Sequence, residues 1–301
     1  MFRRCPRQWY FKHCLANAKA KSPDRRNAYL LSKLQSISAW RGQIVDSVIS
    51  SQLVPALNRG RSPTLLQLKN EARRLFDGQL LCAREHRLRD PQYSPSAAAD
   101  SFAAFHCMEY QGAIPDDEVA RAWTEIELAL RNLFALSAIR QSLKQARYLV
   151  AQRALCFPHS DVTVRAVPDL IVFTEEAPPA IIDWKVHAFG LQEAWLQLGA
   201  YALALSQAAN HKDFPAGFHT RPQDVRLLEV QLLNGVVREY QIDEEQLDDI
   251  HAYIAASVDE IMTAMDGREN GQLHAEDFAV TTNPDQCIRC SFRSMCWEKP
   301  I

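Results

Sequence analysis

Residues 162–186 read VTVRAVPDLIVFTEEAPPAIIDWKV, and this stretch decides the architecture. Three short runs rich in apolar and β-branched residues, 162–167, 170–173 and 180–186, are separated by turn formers, which is the pattern of neighbouring strands. Side chains alternate along a strand, so Asp183 and Lys185 project from one face and Trp184 from the other. Asp169 opens the preceding strand, and a hairpin through 174–179 brings it beside Asp183. Two convergent carboxylates suit a hard divalent cation such as Mg²⁺ or Mn²⁺, which keeps waters and can activate one of them. Lys185 is placed to position that water or to stabilise charge growing on a phosphate.

Working outward, a helix is expected over about 191–209, with Gln197 and Tyr201 four residues apart on one face and turned toward the same site. Beyond it, 227–233 and 236–242 flank Asn234-Gly235, the signal for a hairpin with a two-residue primed turn. An acidic amphipathic helix should run over 243–265. Upstream, apolar residues recur at helical spacing over 29–49, 65–88 and 117–155. Between them, 89–101, with its prolines and alanines, reads as a loop at the base of an insertion. The order implies a mixed α/β core with a helical N-terminal part. Three regions follow: 1–155, helical; 156–265, the core sheet and its helices; and 266–301, a cysteine-bearing segment.

The 301 residues are 47% hydrophobic and 23% charged, which excludes a wholly disordered or low-complexity chain. With 34 basic against 36 acidic side chains the net charge is -2, so any basic surface is local. Residues 1–26 are such a place, with Arg3, Arg4, Arg7 and Lys12 interleaved with aromatics. Together with Arg289 and Arg293 they are candidates for a groove that tracks a nucleic-acid strand, against an equal expectation of ordinary solvated charge. The longest uncharged stretch, 194–210, is broken by Gln197, Gly199 and Gln207, so no membrane span is expected. The start, Met-Phe-Arg-Arg-Cys-Pro, lacks the apolar core of a secretory signal, and a cytoplasmic location is expected.

Eight cysteines in a reducing compartment point to metal binding or simple burial rather than disulfides. Their spacing singles out Cys287-x₂-Cys290-x₅-Cys296, with Cys5 as a fourth thiolate from the basic N-terminal segment. Soft sulfur ligation selects an iron-sulfur cluster or zinc. Cys14, Cys82, Cys107 and Cys156 lack ligand spacing and are expected to be buried small hydrophobes, with Cys14 a substitute for Cys5.

Asp169, Asp183 and Lys185, followed by Gln197-x₃-Tyr201, resemble the PD-(D/E)XK nuclease superfamily, and specifically its RecB-like branch. The N-terminal cysteine with a C-terminal triplet is similar to the four-cysteine cluster of CRISPR-associated RecB-like exonucleases. The resemblance implies a restriction-endonuclease-like core sheet, metal-dependent hydrolysis of phosphodiester bonds in single-stranded or free-ended DNA, and a 4Fe-4S cluster, with zinc as the alternative. It also implies partners in a defence or repair complex. Members of this branch carry a glycine and, four residues later, a histidine ligand. Here Gly42 fits, but Asp46 stands at the histidine position, where a carboxylate can still ligate Mg²⁺ or Mn²⁺. A further acidic residue before the core sheet has Gln152 as its nearest counterpart. These departures keep a second expectation open, a catalytically impaired nuclease-fold subunit that binds nucleic acid or a protein partner.

Overall fold

The computed structural model describes every residue except 91–93, 161, 176, 188–193, 209–211 and 298–301. The chain forms two compact units, each assembled from separated stretches. One draws on Met1–Ile37, Leu75–Val119 and Ala256–Ile301, the other on Ser38–Arg74 and Ala120–Ala255.

The first unit is mostly helical. Helices Pro6–Tyr10 and Pro23–Leu31 each begin with proline, whose fixed φ and missing N–H suit the first helical position. Its core joins residues from both ends of the sequence, with Tyr10, Phe11, Leu31, Phe278 and Phe292 all buried. Tyr10 stacks on Phe278 at 5.0 Å between ring centroids and Phe11 on Phe292 at 5.6 Å. The buried Tyr10 hydroxyl donates to the Leu273 carbonyl at 2.9 Å, as a polar group out of water requires. Strands β1 (Leu34–Gln35) and β2 (Ala104–Phe105) pair in parallel.

The second unit carries β3 (Tyr148–Ala151), β4 (Leu155–His159), β5 (Val162–Ala166), β6 (Leu170–Phe173), β7 (Ala180–Lys185), β8 (Arg226–Gln231) and β9 (Val236–Tyr240). Five of them form one mixed sheet in the order β3-β6-β7-β8-β9, while β4 and β5 make a separate antiparallel hairpin. Only β7 and β8 are parallel within the five, and helix Ala194–Gln207 lies in the crossover that such a pair needs. All four residues of β6, and Ala180 to Trp184 of β7, are buried, as expected of strands covered on both faces. Helix Ile37–Val48 buries Trp40, Ile44 and Val48 at four-residue spacing, which leaves Asp46 on its half-buried flank.

Three expectations need correction. The helix expected to run to 155 ends at Ala135, and after a second helix, Ser137–Gln145, the chain becomes β3. The Leu149-Val150 pair continues the apolar spacing of the helices, but both side chains are buried by pairing with β6. Residues 162–166 do form a strand, but one outside the five-stranded sheet. Register pairs Gln231 with Val236, so the β8–β9 connection has four residues, 232–235, and the only positive φ there is that of Gly235, at 64°. A two-residue primed turn would place Asn234 at positive φ as well. Instead the Asn132 amide donates to the carbonyls of Leu232 and Leu233 at 2.8 and 3.1 Å, holding both leucines in the turn.

In 89–101, the described part contains a helical turn, Pro95–Ala98, capped by the Ser94 hydroxyl. Helix Glu244–Met265 lies where the acidic amphipathic helix was expected. Residues 191–193 and 209 of the expected helix over 191–209 lie outside the described residues.

Candidate active site

The β6–β7 register sets Leu170 opposite Ile182, which places Asp169, just before β6, next to Asp183. The Trp184 backbone N–H donates to Asp169 Oδ2 at 2.9 Å, so this carboxylate is fixed to the neighbouring strand. Asp183 is only 2% exposed. Lys185 shares its face, with Nζ 2.5 Å from Asp183 Oδ2. Burial, and then the charge of Asp169, push the Asp183 carboxyl up to about 6 against the pull of Lys185.

Gln197 and Tyr201 reach the same place from helix Ala194–Gln207. Lys185 Nζ donates to Gln197 Oε1 at 3.1 Å, and Gln197 Nε2 donates to the Tyr201 hydroxyl at 2.6 Å and to Asp183 Oδ1 at 3.4 Å. Burial pushes the Tyr201 phenol up to about 12, so it stays protonated at neutral pH. Asp46 approaches from helix Ile37–Val48. The Gln152 amide nitrogen donates to Asp46 Oδ1 and Oδ2 at 2.9 and 3.0 Å and to Asp169 Oδ1 at 3.1 Å. Burial first, and Asp169 next, push the Asp46 carboxyl up to about 6. The buried guanidinium of Arg41 ties the same helix to the Val186 carbonyl just beyond β7 and to Glu125 of helix Asp116–Ala135, and it also reaches the Ser38 hydroxyl of its own helix.

One residue of this site, Glu229, has no place among the sequence expectations, and Gln152 has a different role from the one expected. Glu229 lies opposite Asp183 in the parallel β7–β8 register and is 1% exposed. Gln231 Nε2 at 2.5 Å and the Tyr240 hydroxyl at 2.8 Å donate to it, and its charge helps raise the Asp183 carboxyl. The available signal was Leu228-Glu229-Val230-Gln231, which repeats on β8 the polar alternation of Asp183 and Lys185. Gln152 was considered only as a counterpart of an acidic residue, and its bridge between two aspartates has no sequence signature.

Cys5, Cys287, Cys290 and Cys296 line one cavity of the first unit, beside Phe11 and Trp297. Burial, with small contributions from the other three thiols, pushes the Cys290 thiol up to about 11. All eight cysteines are free thiols. Cys14 and Cys82 are buried as expected, with Cys14 in the aromatic core of the unit, but Cys107 is half-buried and Cys156 exposed. Cys156 faces outward because alternate residues of β4 do so. Among the candidate strand-binding residues, Arg3 pairs with Glu260 at 2.8 Å and Arg7 donates to the Phe278 carbonyl at 3.0 Å. Arg293 lies over the Tyr110 ring at 3.9 Å, while Arg4, Lys12 and Arg289 are exposed.

Among the described residues, no group of three or more His, Cys, Asp or Glu side chains is arranged to hold a metal ion. The donor sets nevertheless match distinct metal chemistries. Carboxylate oxygens at Asp46, Asp169 and Asp183 suit a hard divalent cation. The four thiols of one cavity suit a sulfur-ligated centre. Among the described residues no helix is long and apolar enough to cross a membrane.

No curated protein matches the chain. The family model of the PD-(D/E)XK nuclease superfamily matches residues 1–297, spanning both the carboxylate–lysine site and the four cysteines. The chain therefore belongs to the PD-(D/E)XK nuclease superfamily, a group made up in general of nucleases.

Proposed function

We propose that this chain is a RecB-like, divalent-metal-dependent deoxyribonuclease that hydrolyses phosphodiester bonds, as an exonuclease on single-stranded or free-ended DNA. The observation that carries this reading is the hydrogen-bonded cluster of Asp169, Asp183, Lys185, Gln197 and Tyr201 at the junction of β6, β7 and helix Ala194–Gln207. Asp46, Asp169 and Asp183 would hold Mg²⁺ or Mn²⁺. A cation there supplies positive charge to the scissile phosphate and acidity to a water molecule.

The chain's own contribution is positioning. Gln197 orients the Lys185 ammonium, which donates to the water or to a phosphate oxygen as charge develops. The Tyr201 hydroxyl accepts from Gln197 Nε2 and so fixes that amide. In the first unit, Cys5, Cys287, Cys290 and Cys296 would hold a 4Fe-4S cluster, or zinc, as a structural centre whose ligation energy is folding energy. Arg4, Lys12 and Arg289, exposed in that unit, would contact the DNA strand.

Asp46 at the position of a histidine ligand favours a second reading, a catalytically impaired subunit that binds nucleic acid or a protein partner in a defence or repair complex. Cleavage of end-labelled single-stranded DNA with Mn²⁺ or Mg²⁺ separates the two, using anaerobically purified protein beside Lys185→Ala and a chelator. Cleavage lost in both controls supports the nuclease. Intact single-stranded DNA, duplex and RNA would favour the binding subunit.

A further inference from the structure

Gln152 follows β3 with a φ of 51°, a left-handed conformation uncommon for a residue with a β-carbon. Its backbone N–H donates to the Asp169 carbonyl at 3.0 Å, so the residue is tied to Asp169 through main chain and side chain together. The two protons of the amide are divided, one shared between both oxygens of Asp46 and one on Asp169 Oδ1. The nitrogen thus sits 2.9–3.1 Å from three carboxylate oxygens contributed by two different elements. A small divalent cation shared by the same two carboxylates draws their oxygens to about 2.0–2.1 Å from a common centre. The amide and the cation cannot occupy that place together.

We propose that Gln152 is a positioning residue that acts as a displaceable wedge: its carboxamide separates Asp46 from Asp169 and must swing out before both can ligate one cation. The proposal rests on the metal-dependent reading above. It accounts for three acidic side chains tolerated at close quarters while no three of the described ligand-type residues are arranged to hold a metal. The amide protons offset part of the carboxylate repulsion, and the same hydrogen bonds oppose metal entry.

The test is titration of the full chain with Mn²⁺ alone, read by calorimetry and by the electron paramagnetic resonance signal of free Mn²⁺. Wild type is compared with Gln152→Ala, which keeps the β-carbon and removes the amide, and with Gln152→Gly, which also relaxes the backbone and guards against misfolding of the alanine variant. Loss of hydrogen bonds to charged acceptors should tighten Mn²⁺ binding by roughly tenfold in both variants. A residue of purely structural importance would not tighten binding when removed. Weaker binding in the variants would overturn the wedge and make the amide oxygen a ligand, and unchanged binding by wild type and variants would overturn it while leaving the metal-dependent reading intact. If neither wild type nor variants bind Mn²⁺, that reading fails as well. Binding by the variants alone would support the wedge in its strongest form.

Discussion

Asp46 carries a cost in the folded protein that can be measured without any substrate. Its carboxyl moves from an ordinary 3.8 to about 6 because burial disfavours the charged form. A carboxylate raised in this way destabilises the fold fully above about pH 6, and the penalty fades as pH falls toward the unfolded value near 4. Asp46→Asn should therefore raise stability at neutral pH by about 1–3 kcal/mol, and the gain should vanish near pH 4. Denaturant unfolding of both proteins across that range, with chelator present, checks it. A variant gain that grew toward acid would show that the charge of Asp46 is not the penalised species. Asp169, Asp183, Lys185, Gln197 and Tyr201 were legible because strand alternation and helical spacing fix which side chains share a face. Gln152 and Glu229 were not, because one depends on a positive φ and the other on which strand lies next to β7, and neither is written in local periodicity.

Among the elements, helix Ala194–Gln207 carries two of the site residues and depends on one small side chain for its seat. A β-carbon built on Gly199 would collide with Ile250 Cδ1 and meet Ile242 Cδ1 at 3.1 Å, both in the second unit. Gly199→Val should destabilise by about 1–3 kcal/mol through overpacking, read from the denaturant midpoint. By shifting Gln197 relative to Lys185 it should also lower cleavage at unchanged metal affinity. Unaltered stability would mean that Ile250 repacks freely. At this scale β6, β7 and the long C-terminal helix were readable because their apolar patterns are short and bounded or long and periodic. β3 was not, since four residues cannot display a period of two against a helical pattern already running. The β8–β9 turn was misjudged because Asn132, a hundred positions away from Leu232, holds the loop open.

For the molecule as a whole, the four cysteines place the proposed cluster where residues from both ends of the sequence meet. Cys290→Ser should remove bound iron and sulfide, or zinc, from anaerobically purified protein. It should also lower the melting temperature by about 3 °C, the shift that a loss of roughly 2 kcal/mol produces in a chain of this length. Cys82→Ser, at a buried thiol outside that cavity, should leave metal content unchanged. Equal metal content in all three proteins would remove the cysteine cavity from consideration as a metal centre.

The aromatic core of the same unit has a temporal consequence. Tyr10 and Phe11 are buried against Phe278 and Phe292, whereas the other unit draws all its residues from 38 to 255. A ribosome adds about 5–20 residues per second, so on the order of tens of seconds separate Phe11 from its stacking partner during synthesis. The sheet has every strand in hand well before then. Tyr10 and Phe11 must therefore wait for residues 278 and 292 before their stacking partners exist, so this aromatic core closes only after every strand of the sheet has been made.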